Sequence, residues 1–330
     1  MRARLLVKLS SLLFVVFVLQ SCGPGAPGNW KNGEIPAGKK DKLNELNQLL
    51  FASLKANDAD KLEPILSNEL SVRPDKNRMI ELVSNRFKEG TYEVLDEYYV
   101  VNKYNTHDTI KNNTRGINNY TLRYGNPSEE MYLAFFVPKE PMANKYIITA
   151  IYNKLDYGWK LTYIDAAPYT ISGKTAPQLF ELARQSYAKH YLLNTYITMV
   201  SAFNCSRPST IWDYDADSAM NSFYGKITGE AAASYKFPIT IKQVPTQPII
   251  FNVFNKTLPE GEFPMFYYLS KIKVTDTVAI KQENEEIKKV LDQTFPGIDQ
   301  EKKYLLFSAF NERPDGKKWV GHFDMTEKLK

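Results

Sequence analysis

Three histidines occur in the 330 residues, His107, His190 and His322, so imidazole chemistry has few places to sit. His107-Asp108 is the best acid–base pair available, since a carboxylate beside an imidazole can orient a general base. It lies in the polar stretch 102–119, where a loop histidine is solvated. His190 falls inside a long helical pattern and His322 near the end of the last strand, and both read as structural. Asp213, Asp215 and Asp217 reproduce the first three alternating ligands of an EF-hand calcium loop. That loop goes on to require a glycine and a closing bidentate glutamate, where this chain has Ser218 and Tyr224. A solvated acidic turn with Asp217 capping the next helix fits better, and weak calcium binding is the minor reading.

Gly173-Lys174-Thr175 matches the tail of a phosphate-binding loop, but the glycine needed five positions earlier is Pro168. It reads as a linker. His-Glu-x-x-His, Cys-x-x-Cys and Gly-x-Ser-x-Gly are all missing, so zinc hydrolysis and the serine-hydrolase elbow lack their signatures. The adjacent pairs Glu129-Glu130 and Glu285-Glu286 have diverging side chains and read as solvated faces. No catalytic, cofactor-binding or metal-ligating residue is nominated, and no cofactor is expected.

The elements that would position any site change character along the chain. Leu43, Leu46, Leu50 and Leu54 recur at helical spacing. Residues 60–63 have capping-box spacing for a short helix, and 75–88 carry a third helical pattern. From Thr91 the texture switches to Tyr, Val, Ile and Phe, giving strands at 92–104, 117–124, 131–137, 146–152 and 159–164. Helices followed by an antiparallel meander predict an α+β unit over 39–170, its helices packed on a curved sheet. Residues 171–175 read as a linker with Thr175 as N-cap. A second α+β domain over 175–330 then opens with one long helix ending near Ser206, followed by a short helix from about Ser218. Strand patterns at 239–244, 249–254 and 265–274, a helix at 281–295 and a hairpin of 304–310 with 319–323 complete it. The two terminal hairpins, 146–159 and 304–319, look alike, which leaves duplication open.

The N-terminus carries a secretory leader. Arg2, Arg4 and Lys8 precede an apolar run at 12–19, too short for the about 20 residues of a membrane span. Leu19-Gln20-Ser21-Cys22 resembles the lipobox of bacterial lipoproteins of the Bacteroidetes type. The resemblance implies removal of residues 1–21, a diacylglycerol on the Cys22 sulfur and an acylated amino group, and two or more acyl chains hold a bilayer stably. Gly23 rather than Asp follows the cysteine, which in lipoproteins of this kind favours the outer membrane. No acidic residue precedes Glu34, which favours the periplasmic face and leaves surface exposure open. Residues 22–38 then read as a flexible tether. Lipidation of Cys22 leaves Cys205 as a lone, buried, small apolar residue near a helix end.

The stretch Leu49–Leu62, in which a helix ends in a small polar turn and a second helix follows, resembles the opening of the nuclear-transport-factor-like superfamily, which includes the SnoaL-like enzymes. The hairpin of 146–150 with 158–161 is similar to its closing strands. The resemblance covers residues 40–168 and implies a cone in which helices close one face of a curved sheet. Enzymes of that superfamily place acid–base residues inside the cone.

Charge and composition set the remaining limits. The chain carries 42 Lys and Arg against 37 Asp and Glu. Three of the basic residues leave with the leader, and a mature balance of about +2 gives no reason to expect nucleic acid. Aromatics make up 13% of the chain, including 21 Tyr, which suits both cores and binding surfaces. The expected function is a non-catalytic, lipid-anchored envelope protein that binds a small ligand, glycan or envelope partner and meets the membrane through its N-terminal lipid. The alternatives are a cone-fold enzyme of isomerase, dehydratase or hydrolase type, and a purely structural or assembly lipoprotein.

Overall fold

The computed structural model describes residues 26–104, 106–125 and 127–329. Cys22 and the leader lie outside them. The described chain is 36% helical and 33% strand, with sheets that are mostly antiparallel, which makes it α+β.

The first sheet has the order β1 (Gly28–Lys31), β2 (Tyr92–Val101), β5 (Glu130–Pro138), β6 (Lys145–Leu155), β7 (Gly158–Thr170), every neighbour antiparallel. Along β5 the side chains alternate between two buried faces, so all nine residues are buried. Tyr132, Ala134 and Phe136 meet the leucine stripe of α1 (Ala37–Ala56) and Ile80 and Val83 of α3 (Lys76–Phe87). Between these two helices lie a 3-10 turn, Asp60–Ile65, and the single-turn α2 (Asn68–Ser71). Met131, Leu133 and Phe135 face the other way. That second face is covered by a three-stranded sheet of β3 (His107–Asn112), β4 (Tyr120–Gly125) and β8 (Trp212–Tyr214), and by α4 (Ala176–Ala188), α5 (Leu192–Asn204) and α6 (Asp217–Ser234).

The second large sheet has the order β13 (His322–Lys328), β12 (Tyr304–Phe310), β11 (Gly261–Leu269), β10 (Ile249–Leu258), β9 (Ile239–Thr240). β11 and β12 are parallel, because α7 (Thr277–Thr294) is the crossover between them. α7 seats Ile280, Ile287 and Leu291 on Phe266 and Phe307.

Several expectations change. Residues 28–38 are not tether: β1 pairs with the edge of β2 and the Trp30 ring lies 5.6 Å from that of Tyr99. An edge strand with unpaired backbone groups is a template for pairing, and this segment fills it. The long helix is two. α4 closes with His190 at φ 63°, His190 N–H donating to Tyr187 O at 2.9 Å and Tyr191 N–H to Ser186 O at 3.1 Å. This is a Schellman cap without its usual glycine, which is why the sequence hides it. Tyr191 then packs against Gly297 so closely that a Cβ there would lie 2.3 Å from the ring. β3 sits in the stretch read as loop, α6 is 18 residues long rather than short, and the last strand begins at His322 instead of ending there. The two hairpins that look alike also differ in setting, since β6 has two antiparallel neighbours whereas β12 has one parallel.

Packing crosses the expected boundary at 170–175. β8 of the second half pairs with β4 of the first, and one apolar core contains Tyr120, Phe135, Ala176, Leu179, Trp212 and Met220. α5 serves two cores at once, giving Met199 and Ala202 to that one and Leu193 and Ile197 to the core under the second sheet.

Candidate functional site

The centre of the helix-facing side of the first sheet, where a cone would hold its ligand, is filled, and that side opens at its edge into a cleft of about 520 Å³ between α3 and β7, lined by Met79, Val83, Ile164 and Ala166. Tyr99, Tyr132, Phe136 and Tyr152 are 2% exposed or less. Its two carboxylates are buried but already engaged. Glu97 accepts from the Tyr132 hydroxyl and pairs with Lys40, while Asn47 Nδ2 donates to Tyr132 Oη at 2.8 Å. Glu130 pairs with Lys39 at 2.5 Å and with Lys154, and accepts from Tyr99. Glu129-Glu130 is therefore not a solvated pair. Glu129 is exposed, and strand alternation turns Glu130 into the interior.

Burial raises the Glu130 pKa, but donors from Lys154, Lys39 and Tyr99 outweigh it and hold the carboxyl down at about 2. A depressed folded-state pKa contributes stability that is complete above the unfolded value of about 4.3 and is lost as pH falls through about 2. In urea titrations, wild type should therefore exceed Glu130→Gln by a constant margin above about pH 5, shrinking below about pH 4. A margin independent of pH would show that the carboxylate charge contributes nothing.

The other sequence candidates disperse. His107 opens β3 opposite Gly125 and is exposed, and Asp108 Oδ1 accepts from Thr109 N–H at 2.6 Å instead of from the imidazole. His107→Ala should shift folding stability by less than about 0.5 kcal/mol in urea denaturation, as an exposed edge position does. Asp213 is taken by Arg123 at 2.9 Å and by Arg207, and Arg207 also reaches Asp217 at 3.5 Å. Asp217 is the first helical residue of α6, not its cap, because Ala216 occupies that position. No group of three or more His, Cys, Asp or Glu is placed to hold a metal among the described residues. Gly173-Lys174-Thr175 forms a turn with Gly173 at φ 74°, followed by Thr175 as N-cap, to whose N–H Gln178 reaches back at 3.0 Å. Glu285 and Glu286 pair with Lys288 and Lys289 one turn on. Cys205 is fully buried, donates to Ser201 O at 3.4 Å and has its thiol pushed up to about 12 by burial.

Further open volume lies along the seam between the two halves, besides a cleft of about 230 Å³ within the second half between Tyr196, Tyr235 and Phe237. A cleft of about 650 Å³ runs past Arg86, Asn144, Tyr146, Thr170, Thr257 and Glu262. It adjoins the first-half cleft of about 520 Å³ through Arg86 and Tyr146, whose guanidinium and ring stack at 3.9 Å. The seam is built by hydrogen bonds across the halves. Asn144 Nδ2 donates to Leu258 O at 3.0 Å, its Oδ1 accepts from Ser172 N–H at 3.0 Å, and Glu262 N–H donates to Ser172 Oγ at 2.9 Å. Gly261, at φ 139°, allows this approach, since a Cβ there would stand 2.7 Å from Ser172 Oγ.

Beyond the turn lies a smaller cleft of about 220 Å³, walled by Ser172, Lys174, Thr198, Ser201, Asn255, Glu262 and Lys302. Ser201 Oγ donates to Glu262 Oε2 at 2.6 Å, Thr257 Oγ1 donates to Oε1 at 3.2 Å, and Asn255 Nδ2 donates to Ser201 Oγ at 2.8 Å. Sequence reasoning passed over these residues. Lys302 stands in a loop and Glu262 beside a turn, without motif spacing, and only the fold brings them together.

Comparison of the chain with protein-family models, with curated proteins and with solved structures finds no match in any of the three.

Proposed function

We propose that this chain is a lipid-anchored cell-envelope protein, held in the outer membrane by acyl chains on Cys22, that binds a small ligand non-catalytically at the seam between its halves. The supporting observation is where space is and is not. The centre of the face on which a cone-type enzyme of the nuclear-transport-factor-like kind would work is packed with tyrosine and phenylalanine, its carboxylates paired with lysines, while polar and aromatic side chains line open clefts at the seam. Pockets that combine apolar walls with a few convergent polar groups are the usual form of small-ligand sites. The helices over one face of the five-stranded sheet support a cone-like arrangement whose centre is filled.

A ligand that binds only the folded state raises its melting temperature by mass action. Fractions of small molecules extracted from the envelope should therefore raise the Tm of the purified protein. If none does, a structural or assembly role replaces the binding reading. The anchor has its own test. No helix among the described residues is long and apolar enough to cross a membrane, and this reading rests the attachment on acyl chains at Cys22. Cys22→Ala should move the protein from the membrane to the soluble fraction and remove the acyl mass. A Cys22→Ala protein that stays in the membrane overturns the anchor.

A further inference from the structure

Three lysines and three glutamates line the small seam cleft; Lys174, Glu260, Glu301 and Lys303 are exposed, and the half-buried pair, Lys302 and Glu262, do not meet. No ion pair within 4.0 Å joins them. Among the described residues, the Lys302 ammonium has no hydrogen-bond or ion-pair partner at all. Burial pushes its pKa down to about 8, partly offset by attraction to Glu301 and Glu262 and reinforced by repulsion from Lys174, a sign that the charge stands where solvent compensates it poorly. Glu262 is held by a hydroxyl on each carboxylate oxygen, those of Ser201 and Thr257, and has no cation on it. A third group is also left over. Thr198, 3% exposed on the same wall, has a hydroxyl with no hydrogen-bond partner. Buried polar groups in native proteins are nearly always paired, and an unpaired one costs about 1–3 kcal/mol.

We infer that this cleft binds a small zwitterion of amino-acid type, its carboxylate on Lys302 and its ammonium on Glu262, beside the Thr198 side chain. The inference rests on the seam-binding reading and names the ligand class. A purely anionic ligand would leave Glu262 facing it, and a purely cationic one would leave Lys302. Only a ligand with both charges satisfies both groups. Size agrees: about 220 Å³ falls below the roughly 300–1,000 Å³ of pockets for drug-sized molecules, so the occupant has few heavy atoms.

Isothermal titration of the purified full-length mature protein separates the possibilities. The probes are L-alanine, L-serine and L-leucine, the corresponding N-acetyl amino acids, which keep only the carboxylate, and the amino-acid amides, which keep only the ammonium. At least one free amino acid should bind about tenfold or more tightly than both of its singly charged analogues, each tenfold being about 1.4 kcal/mol. Lys302→Met and Glu262→Gln should each weaken it by about tenfold or more while leaving the Tm of the unliganded protein close to wild type. Lys55→Met, exposed near the end of α1 and outside the cleft lining, should leave it unchanged. Singly charged analogues binding as well as the free amino acids would overturn the zwitterion inference and leave the seam reading standing. So would binding indifferent to Lys302 and Glu262. No saturable binding by any probe also overturns the inference, while the Tm response to envelope extracts decides the seam reading separately.

Discussion

Asp96→Ala is expected to destabilise the fold by about 3–5 kcal/mol, the range for removing one partner of a buried ionic cluster. A β-bulge between Val94 and Asp96 turns this carboxylate toward the small sheet, where it is fully buried. Five donors converge on it. Tyr120 Oη lies at 2.7 Å, Arg115 Nε at 2.8 Å, Lys31 Nζ at 3.0 Å, Asn32 Nδ2 at 3.1 Å and Asn112 Nδ2 at 3.2 Å. They come from β1 and the turn after it, from β3, from the segment before β4 and from β4 itself, so one side chain ties four parts of the chain together. Burial pushes the Asp96 pKa up, but Arg115, Tyr120 and Lys31 overcome that and hold it below the ordinary range. Its contribution is therefore complete above the unfolded value of about 3.9 and fades as pH falls below it. Asp96→Asn, which keeps the shape and loses the charge, should cost less, since Arg115 and Lys31 are 29% and 22% exposed and can turn toward water. A cost below about 1 kcal/mol for Asp96→Ala in urea denaturation would mean that the donors find other partners.

The same residue shows what was and was not legible in the sequence. Helix stripes such as Leu43, Leu46, Leu50 and Leu54 and the aromatic strands were readable because their period is local, and the α+β class followed from their order. Asp96 gave no such signal, because its burial depends on a bulge and on donors from Asn112, 16 positions on, to Lys31, 65 positions back. Residues 28–38 looked like tether because glycine and proline precede them, and the free edge of β2 decides otherwise. His190 could not be seen as a helix stop, since a left-handed cap is announced by glycine and here a histidine takes it. The seam cleft was least legible of all. Glu262 and Ser172 are 90 positions apart and share no motif, and only the glycine-permitted contact at Gly261 brings them together. The chemical motifs that the sequence did offer were dissolved by local pairing, as the arginines on Asp213 and Asp217 show.

The second large effect concerns Trp212. Its side chain is fully buried, stacks on Tyr120 at a ring distance of 3.5 Å and meets Phe135, Tyr214 and Tyr169 edge-on at 5.1, 5.9 and 6.4 Å. Trp212→Ala is expected to cost about 3–5 kcal/mol, as deletion of a large core aromatic does. The indole N–H has no hydrogen-bond partner among the described residues, so packing alone carries the effect, and Trp212→Phe should recover part of it. Because β8 pairs with β4 across 170–175, the loss should fall on a single transition of the whole chain, reported equally by probes in both halves. A fragment of residues 26–170 would lack Trp212, α4 and α6 and leave Tyr120, Phe135 and Tyr169 uncovered. It should therefore unfold without a cooperative transition unless residues 172–330 are supplied in trans. A fragment that melts sharply by itself, together with a Trp212→Ala variant in which only the second half loses stability, would establish two independent units meeting at the linker.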